Sequence, residues 1–346
     1  MNAGERAARG RATAEMVAEA AGVSRVAVSR AFNPHASLKP EKREKILRLA
    51  QELNYTPDRA ARALVSGRTH LVGMIVPDVC SYWESQEIDA LTSALQNAGF
   101  ATLLFKTRTD YSMDEQLLAY MRSFNPDSVI AFVENVKPRT LARYLGRAVP
   151  IYIHYPFPGA AAEAPDGPVQ DRLNILQHDG IDQAVALLEG YGVTRIAYLA
   201  GFAKSRASIA REATLRGVMA ARGLPEPRVV PGDFSYDTAY EAVLDLFRVG
   251  AGAEAIFAAN DVSAFGAMDA LRHELGLAIP GDVKVIGFDD IVQSHWKSYN
   301  LTTVKFDLEA RVRALVRLIL RRLDAPDAPG FSETLNTRLV VRGTVG

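Results

Sequence analysis

From Leu71 onward the hydrophobic pattern alternates between short apolar runs and longer stretches of helical spacing, which restricts the fold more than any other property of the chain. LVGMIV (71–76) reads as a buried strand, followed by helix 83–98, strand 101–105, helix 113–123, strand 128–132, helix 137–146 and strand 150–153. The loop PFPGAAAEAPDGP (156–168) is rich in Pro, Gly and Ala and reads as a boundary. A second series begins beyond it, with helix 179–191, strand 195–199, helix 206–222, strand 255–258, helix 261–275 and strand 283–287. Alternation of this kind produces parallel sheets with helices on both faces. Two such series predict two doubly wound lobes with a cleft at the carboxyl ends of their strands.

The segment before Leu71 follows another pattern. ATAEMVAEAAGVSRVAVSRAFN (12–33) predicts two short helices joined by a tight Gly-Val-Ser turn. Gly22 can adopt the positive φ that ends the first helix sharply. Thr13 and Ser24 can cap the two helices with their hydroxyl oxygens. Val17, Ala21, Val23, Val28 and Ala31 supply a small core, and Ala18 is small where the backbones approach. This leaves Arg25, Val26, Ser29 and Arg30 outward, the layout that places a helix in a DNA major groove. An ordinary helical hairpin would share the apolar spacing. A third helix should open at Ser37 or Pro40, bury Ile46, Leu49, Ala50 and Leu53, and end at Asn54-Tyr55-Thr56-Pro57. Asp58 can cap a further helix, 59–65, too short to be helical alone in water. That segment needs a partner, either its own copy in a dimer or DNA.

Charge supports the division. Residues 1–68 carry 13 Lys+Arg against 7 Asp+Glu, although the chain is neutral overall with 40 of each. A basic head on an acidic body is the footprint of nucleic-acid binding confined to one end. The single cysteine, Cys80, excludes an internal disulfide and a Cys-based zinc site. No apolar run approaches the ~18 residues of a membrane span, and the N-terminus lacks a signal-peptide core, so a cytoplasmic location and no membrane partner are expected. The histidines, at 35, 70, 154, 178, 273 and 295, show no HExxH or other metal spacing. Neither a GxSxG elbow nor a P-loop is present. No catalytic residue, metal or cofactor is therefore expected, and the chain reads as a non-enzyme.

The motifs VAEAAGVSRVAVSRAFN, KREKILRLAQELNYTPDRAARAL, LVGMIVP, AIFAANDVSAFGAMDAL, VKVIGFDDI and LTTVKFDLEARVRALVRLIL occur in this order along nearly the whole chain. Together they resemble the lactose-repressor/galactose-repressor (LacI/GalR) family of transcriptional regulators. The resemblance implies an all-α helix-turn-helix headpiece and a two-lobed, periplasmic-binding-protein-like α/β core of doubly wound parallel sheets. The implied division is a disordered tail (1–10), headpiece (11–57), hinge helix and linker (58–68) and effector-binding core (69–346). Within the core, lobe 1 takes about 69–167 and 304–328, and lobe 2 about 168–303 and 329–346. The implied function is a repressor that binds a pseudo-palindromic, double-stranded operator as a homodimer under allosteric control by a sugar-like small molecule. The tail TLNTRLVVRGTVG lacks the leucine heptads of a tetramer bundle. A periplasmic binding protein would explain the core but not the head, and a core that answers to a protein partner is the remaining alternative.

Residue roles follow from the same resemblance. Arg25 and Val26 fall at the base-reading start of the recognition helix, with Ser24, Ser29, Arg30 and Asn33 beside them and Lys42, Tyr55, Arg59, Arg62 and Arg68 toward the backbone. Leu64 falls on the hinge leucine that wedges into a minor-groove step, or else on the buried face of a dimer hinge. For the effector the candidates are Tyr82, Trp83, Arg211, Arg216, Phe234, Asn260 and Asp289. Asn260-Asp261 can also cap helix 261–275, Asp289-Asp290 can cap a following turn, and Tyr82 and Trp83 can belong to the core. The chain departs from the family in having Thr214 where relatives carry an effector-binding arginine, and either Arg211 or Arg216 could replace it.

Overall fold

The computed structural model describes residues 12–32, 36–57, 63, 67–76, 82–107, 115–132, 138–146, 149–153, 171–248, 250 and 252–346. The expected tail 1–10, most of hinge helix 59–65, loop 156–168 and Cys80 lie outside them. The chain forms two compact units, Met1–His70 and Leu71–Gly346.

In the head, α1 (Ala14–Ala21), α2 (Arg25–Ala31) and α3 (Pro40–Glu52) enclose a core of Val17, Ala21, Val28, Ala31, Ile46 and Ala50. Thr13 caps α1 by accepting from Met16 N at 3.4 Å, and Ser24 caps α2 by accepting from Ala27 N at 3.2 Å. Gly22 ends α1 at φ 68°, where its N–H reaches back to α1 carbonyls. Pro40 opens α3, where its missing N–H costs nothing. Arg43 then donates to the carbonyls of Ala31 (2.8 Å) and Ala36 (2.7 Å), and Lys45 to that of Ala21 (3.0 Å). These two cations neutralise the negative carbonyl ends of α1 and α2.

The second unit holds two sheets. Strands β1 (Leu71–Val76), β2 (Ala101–Lys106), β3 (Ser128–Ala131) and β4 (Ile151–Ile153) form a parallel sheet in the order β2-β1-β3-β4. Helices α4 (Tyr82–Asn97), α5 (Glu115–Ser123) and α6 (Pro138–Leu145) connect them. The second sheet has seven strands: β5 (Arg172–Leu176), β6 (Ile196–Leu199), β7 (Arg228–Val230), β8 (Ala255–Ala258), β9 (Lys284–Phe288), β10 (Thr302–Phe306) and β11 (Ser332–Val340). Their order is β5-β11-β10-β9-β8-β6-β7, and the β10–β11 pair is antiparallel. Helices α7 (His178–Gly190), α8 (Arg206–Ala221), α9 (Tyr236–Arg248) and α10 (Asp261–Asp269) accompany it. The expected helix 261–275 is α10 continued by a π-turn, Ala270–Glu274. Strands β5, β7, β10 and β11 and helix α9, with a further helix after β10, add to the two series expected from the pattern.

Helix α11 (Leu308–Asp324) leaves the seven-stranded sheet after β10 and packs on the other one. Its Val312, Leu315, Leu318 and Ile319 share a cluster with Val72, Met74, Leu91, Leu95 and Ile130. Buried ion pairs fix it at both ends, Arg311 with Glu87 and Arg322 with Asp171 at 2.7 Å. Burial opposes the Asp171 charge, yet Arg322 and the Phe331 N–H hold its carboxyl below the usual range. The opposite face of the four-stranded sheet buries Ile75, Phe105 and Val129 against Leu118, Met121 and Leu141. Tyr198, Phe257 and Phe288 are the largest fully buried side chains of the other core. Among the described residues no helix is long and apolar enough to cross a membrane.

Candidate functional sites

The head presents one polar face. Ser24, Arg25, Val26, Ser29 and Arg30 are exposed on and beside α2, while Ala27 and Val28 point into the core. Val26, at 60% relative exposure, is an apolar residue held in solvent. Lys42 is exposed on α3. Tyr55 is half-buried and packs edge-on against Phe32, with ring centroids 5.7 Å apart. Arg68 is half-buried, and Asn33, Arg59, Arg62 and Leu64 lie outside the described residues.

In the core unit, Asn260 and Asp289 follow β8 and β9, Phe234 follows β7 and Arg211 lies on α8. This is the carboxyl-end side of a parallel sheet, where loops leave room for a ligand. Arg211 is buried and donates to Asp289 Oδ1 at 3.2 Å and to the Ala259 carbonyl. Its guanidinium lies 3.8 Å over the Phe288 ring. Burial pushes the Asp289 carboxyl up to about 7; Arg211 pulls it down, and Glu84 and Glu87 add to the rise. Asp289 also has φ 111°, a strained conformation for a non-glycine residue. Asn260 does two jobs. Its Oδ1 accepts from Ser263 N at 2.9 Å, capping α10, and its Nδ2 donates to the Phe234 carbonyl at 3.1 Å. Phe234, at φ 68°, lays its ring over Gly201, where a Cβ would come within 2.1 Å of it.

The remaining candidates separate. Arg216 is bound to Glu212 (2.9 Å) and Glu226 (2.5 Å), so the structure brings Arg211, and not Arg216, to Asp289. Tyr82 is 50% exposed, whereas Trp83 is 8% exposed and meets Phe306 edge-on at 4.4 Å. The indole Nε1 of Trp83 is buried without a hydrogen-bond acceptor. Asp290 caps no turn. It holds Lys305 at 3.0 Å and Arg342 at 2.6 Å. Against the cost of burial, those cations keep its carboxyl below the usual range.

One carboxylate escaped sequence reasoning. Asp261, the first residue of α10, is completely buried and accepts from Ile291 N (2.9 Å), Ser294 Oγ (2.6 Å) and Thr303 Oγ1 (2.6 Å). Burial, together with the charge of Asp289, pushes its carboxyl up to about 7. The pair Asn260-Asp261 divides its work, the amide capping the helix while the carboxylate turns inward. Among the described residues no group of His, Cys, Asp and Glu could hold a metal ion.

Two family models match the chain: "Bacterial regulatory proteins, lacI family" over residues 15–58, and "Periplasmic binding protein-like domain" over 185–345. The HTH-type transcriptional regulator CelR of Thermobifida fusca is 30% identical over 344 residues, covering 96% of this chain and 98% of that protein. The HTH-type transcriptional repressor PurR of Vibrio campbellii is 28% identical over 337 residues, with 96% and 98% covered. Among solved structures, a CelR–cellobiose complex is 27% identical with a TM-score of 0.68, covering 96% of this chain and all of that one. The lac repressor dimer bound to operator and the anti-inducer ONPF shares the fold at a TM-score of 0.80, 24% identical, with 97% and 99% covered. With its exposed recognition face, its two-sheet core and these matches along its length, the chain belongs to the lacI family of bacterial transcriptional regulators.

Proposed function

We propose that this regulator represses transcription by binding a pseudo-palindromic operator as a homodimer, and that a sugar-like effector in the core cleft sets its DNA affinity. The observation that carries the DNA half is the outward face of α2, where two arginines and a solvent-held valine stand clear of a fully packed three-helix core. Arginine can donate twice to a guanine edge, and valine can contact a thymine methyl. Two identical reading helices require inverted half-sites. Ser24, Arg25, Val26, Ser29 and Arg30 are read as the base-facing set. Asn33 stands beside that set, Lys42, Tyr55, Arg59, Arg62 and Arg68 then serve the backbone, and Leu64 the minor groove.

The effector half rests on Arg211, Asp289, Asn260 and Phe234 meeting at the carboxyl ends of β6 to β9, with Tyr82 and Trp83 as further wall residues. A solved relative carries cellobiose, which supports a carbohydrate. We place the domain limits at headpiece 11–57, linker 58–68 and core 69–346, in a cytoplasmic protein with no catalytic role. Footprinting on genomic fragments tests the reading. Protection of paired inverted half-sites, falling steeply with salt, is expected. A single asymmetric, salt-insensitive site overturns it.

A further inference from the structure

The charges around Asp289 separate classes of effector, an inference that rests on the cleft being the effector site. We infer that the cleft takes an uncharged, hydroxyl-rich ring and rejects anionic effectors such as phosphorylated or carboxylated sugars. The cation at this floor, Arg211, is already committed to a carboxylate, a carbonyl and an aromatic face. A phosphate gripping it would leave Asp289 and the Ala259 carbonyl buried without that partner. The further charges that act on Asp289 are the carboxylates Glu84 and Glu87 on α4. Arg311 is held by Glu87, and Lys305 and Arg342 by Asp290.

Three backbone donors after β6 are also taken. Ser205 Oγ accepts from Ser208 N at 3.3 Å, Ser208 Oγ from Gly201 N at 2.8 Å, and the Phe202 carbonyl from Ser205 N at 2.8 Å. The other helix N-terminus, that of α10, starts with Asp261 itself and is capped by Asn260. Lys204 is exposed, so its charge is screened. Among the described residues, an anion at this floor would stand in the field of the carboxylates Asp289, Glu84 and Glu87. A neutral ring meets what it can use. Tyr82, Phe202 and Phe234 offer partly exposed aromatic faces for its C–H groups, Asp289 accepts from its hydroxyls, and Trp83 offers an indole N–H that lacks an acceptor.

The test uses the full chain with W296F, which leaves Trp83 as the single tryptophan of an original two. Its emission is followed while inorganic phosphate, and then matched pairs (glucose and glucose 6-phosphate, ribose and ribose 5-phosphate), are added, with cellobiose as a further neutral probe. Phosphate is expected to give no saturable change in W296F and a saturable one in W296F/D289N, where Arg211 is released. A neutral sugar that binds should exceed its phosphorylated partner by about tenfold or more. A saturable phosphate response in W296F, or tighter binding of a phosphorylated partner, overturns the charge assignment alone, and this arm needs no variant at the floor. A sugar that changes operator binding while Trp83 emission and the D289N affinity stay unaltered overturns the cleft assignment, and the charge assignment with it.

Discussion

Arg25 and Lys42 are both exposed cations of the head, and under the proposed function their positions give them different work. Arg25 begins the helix whose face carries Val26, Ser29 and Arg30, whereas Lys42 stands on α3. Arg25→Ala should cost about 1–3 kcal/mol on the cognate operator and relax preference at one base pair per half-site. Lys42→Ala should weaken all sequences alike. A binding panel of single-base operator variants distinguishes the two, and equal loss of specificity in both refutes the division. Asn260 offers a second separation, because it caps α10 and lines the proposed site. Asn260→Ala should lose about 1 kcal/mol of stability along with effector affinity. Asn260→Ser keeps a cap, so it should restore stability but not affinity; calorimetry and denaturation measured side by side would show a parallel recovery if capping were its whole role. Asn260 and Asp289 are legible as candidates because they follow the apolar strand runs AIFAA and VKVIGF. Asp261 is not, since the choice between neighbouring Asn and Asp for the inward position depends on Thr303, Ser294 and Ile291, more than 29 residues away.

Elements were legible where one face is apolar and their ends carry distinct residues. The head shows this best, with Thr13, Gly22, Ser24 and Pro40 marking the ends of three helices. Gly22→Ala should destabilise the head by about 1–2 kcal/mol, because a Cβ is strained at φ 68° although nothing lies within 4 Å of it. Amide exchange of α1 and α2 should accelerate while the core unit is unchanged; an unaltered head would mean that the turn relaxes without cost. Strands β5 and β11 escaped because they are mostly half-exposed, with polar residues interrupting RLNIL and SETLNTRLV. Strand β7 has three residues. Helix α9 lies outside the expected series, although its start carries a signal. Asp233 accepts from Ser235 N, Ser235 Oγ and Thr238 Oγ1, a turn that turns the chain into the helix.

At the scale of the molecule, the two carboxyls raised to about 7 give the core an unusual pH response. An acid whose folded pKa lies above its unfolded value makes the native state bind more protons. The stability that protonation contributes is fully present below the ordinary Asp pKa and is lost as pH rises through about 7. Asp171, Asp233, Asp290 and Glu254, all held below their ordinary values, act in the opposite sense and only at lower pH. Between pH 5 and 8, urea denaturation of the parent should therefore show stability falling relative to D261N/D289N. Parallel curves for the two proteins across that window would show that neither carboxyl changes its protonation on folding.

The path of α11 and β11 has a consequence for how the chain is made. Strand β11 lies between β5 and β10, and α11 covers one face of the four-stranded sheet, so both sheets wait for residues 308–340. During synthesis the head leaves the ribosome before the second unit and holds a core of its own, whereas the second unit closes only once residues 308–340 are translated. A chain interrupted by a stop codon before residue 308 would therefore yield a folded head without a finished second unit.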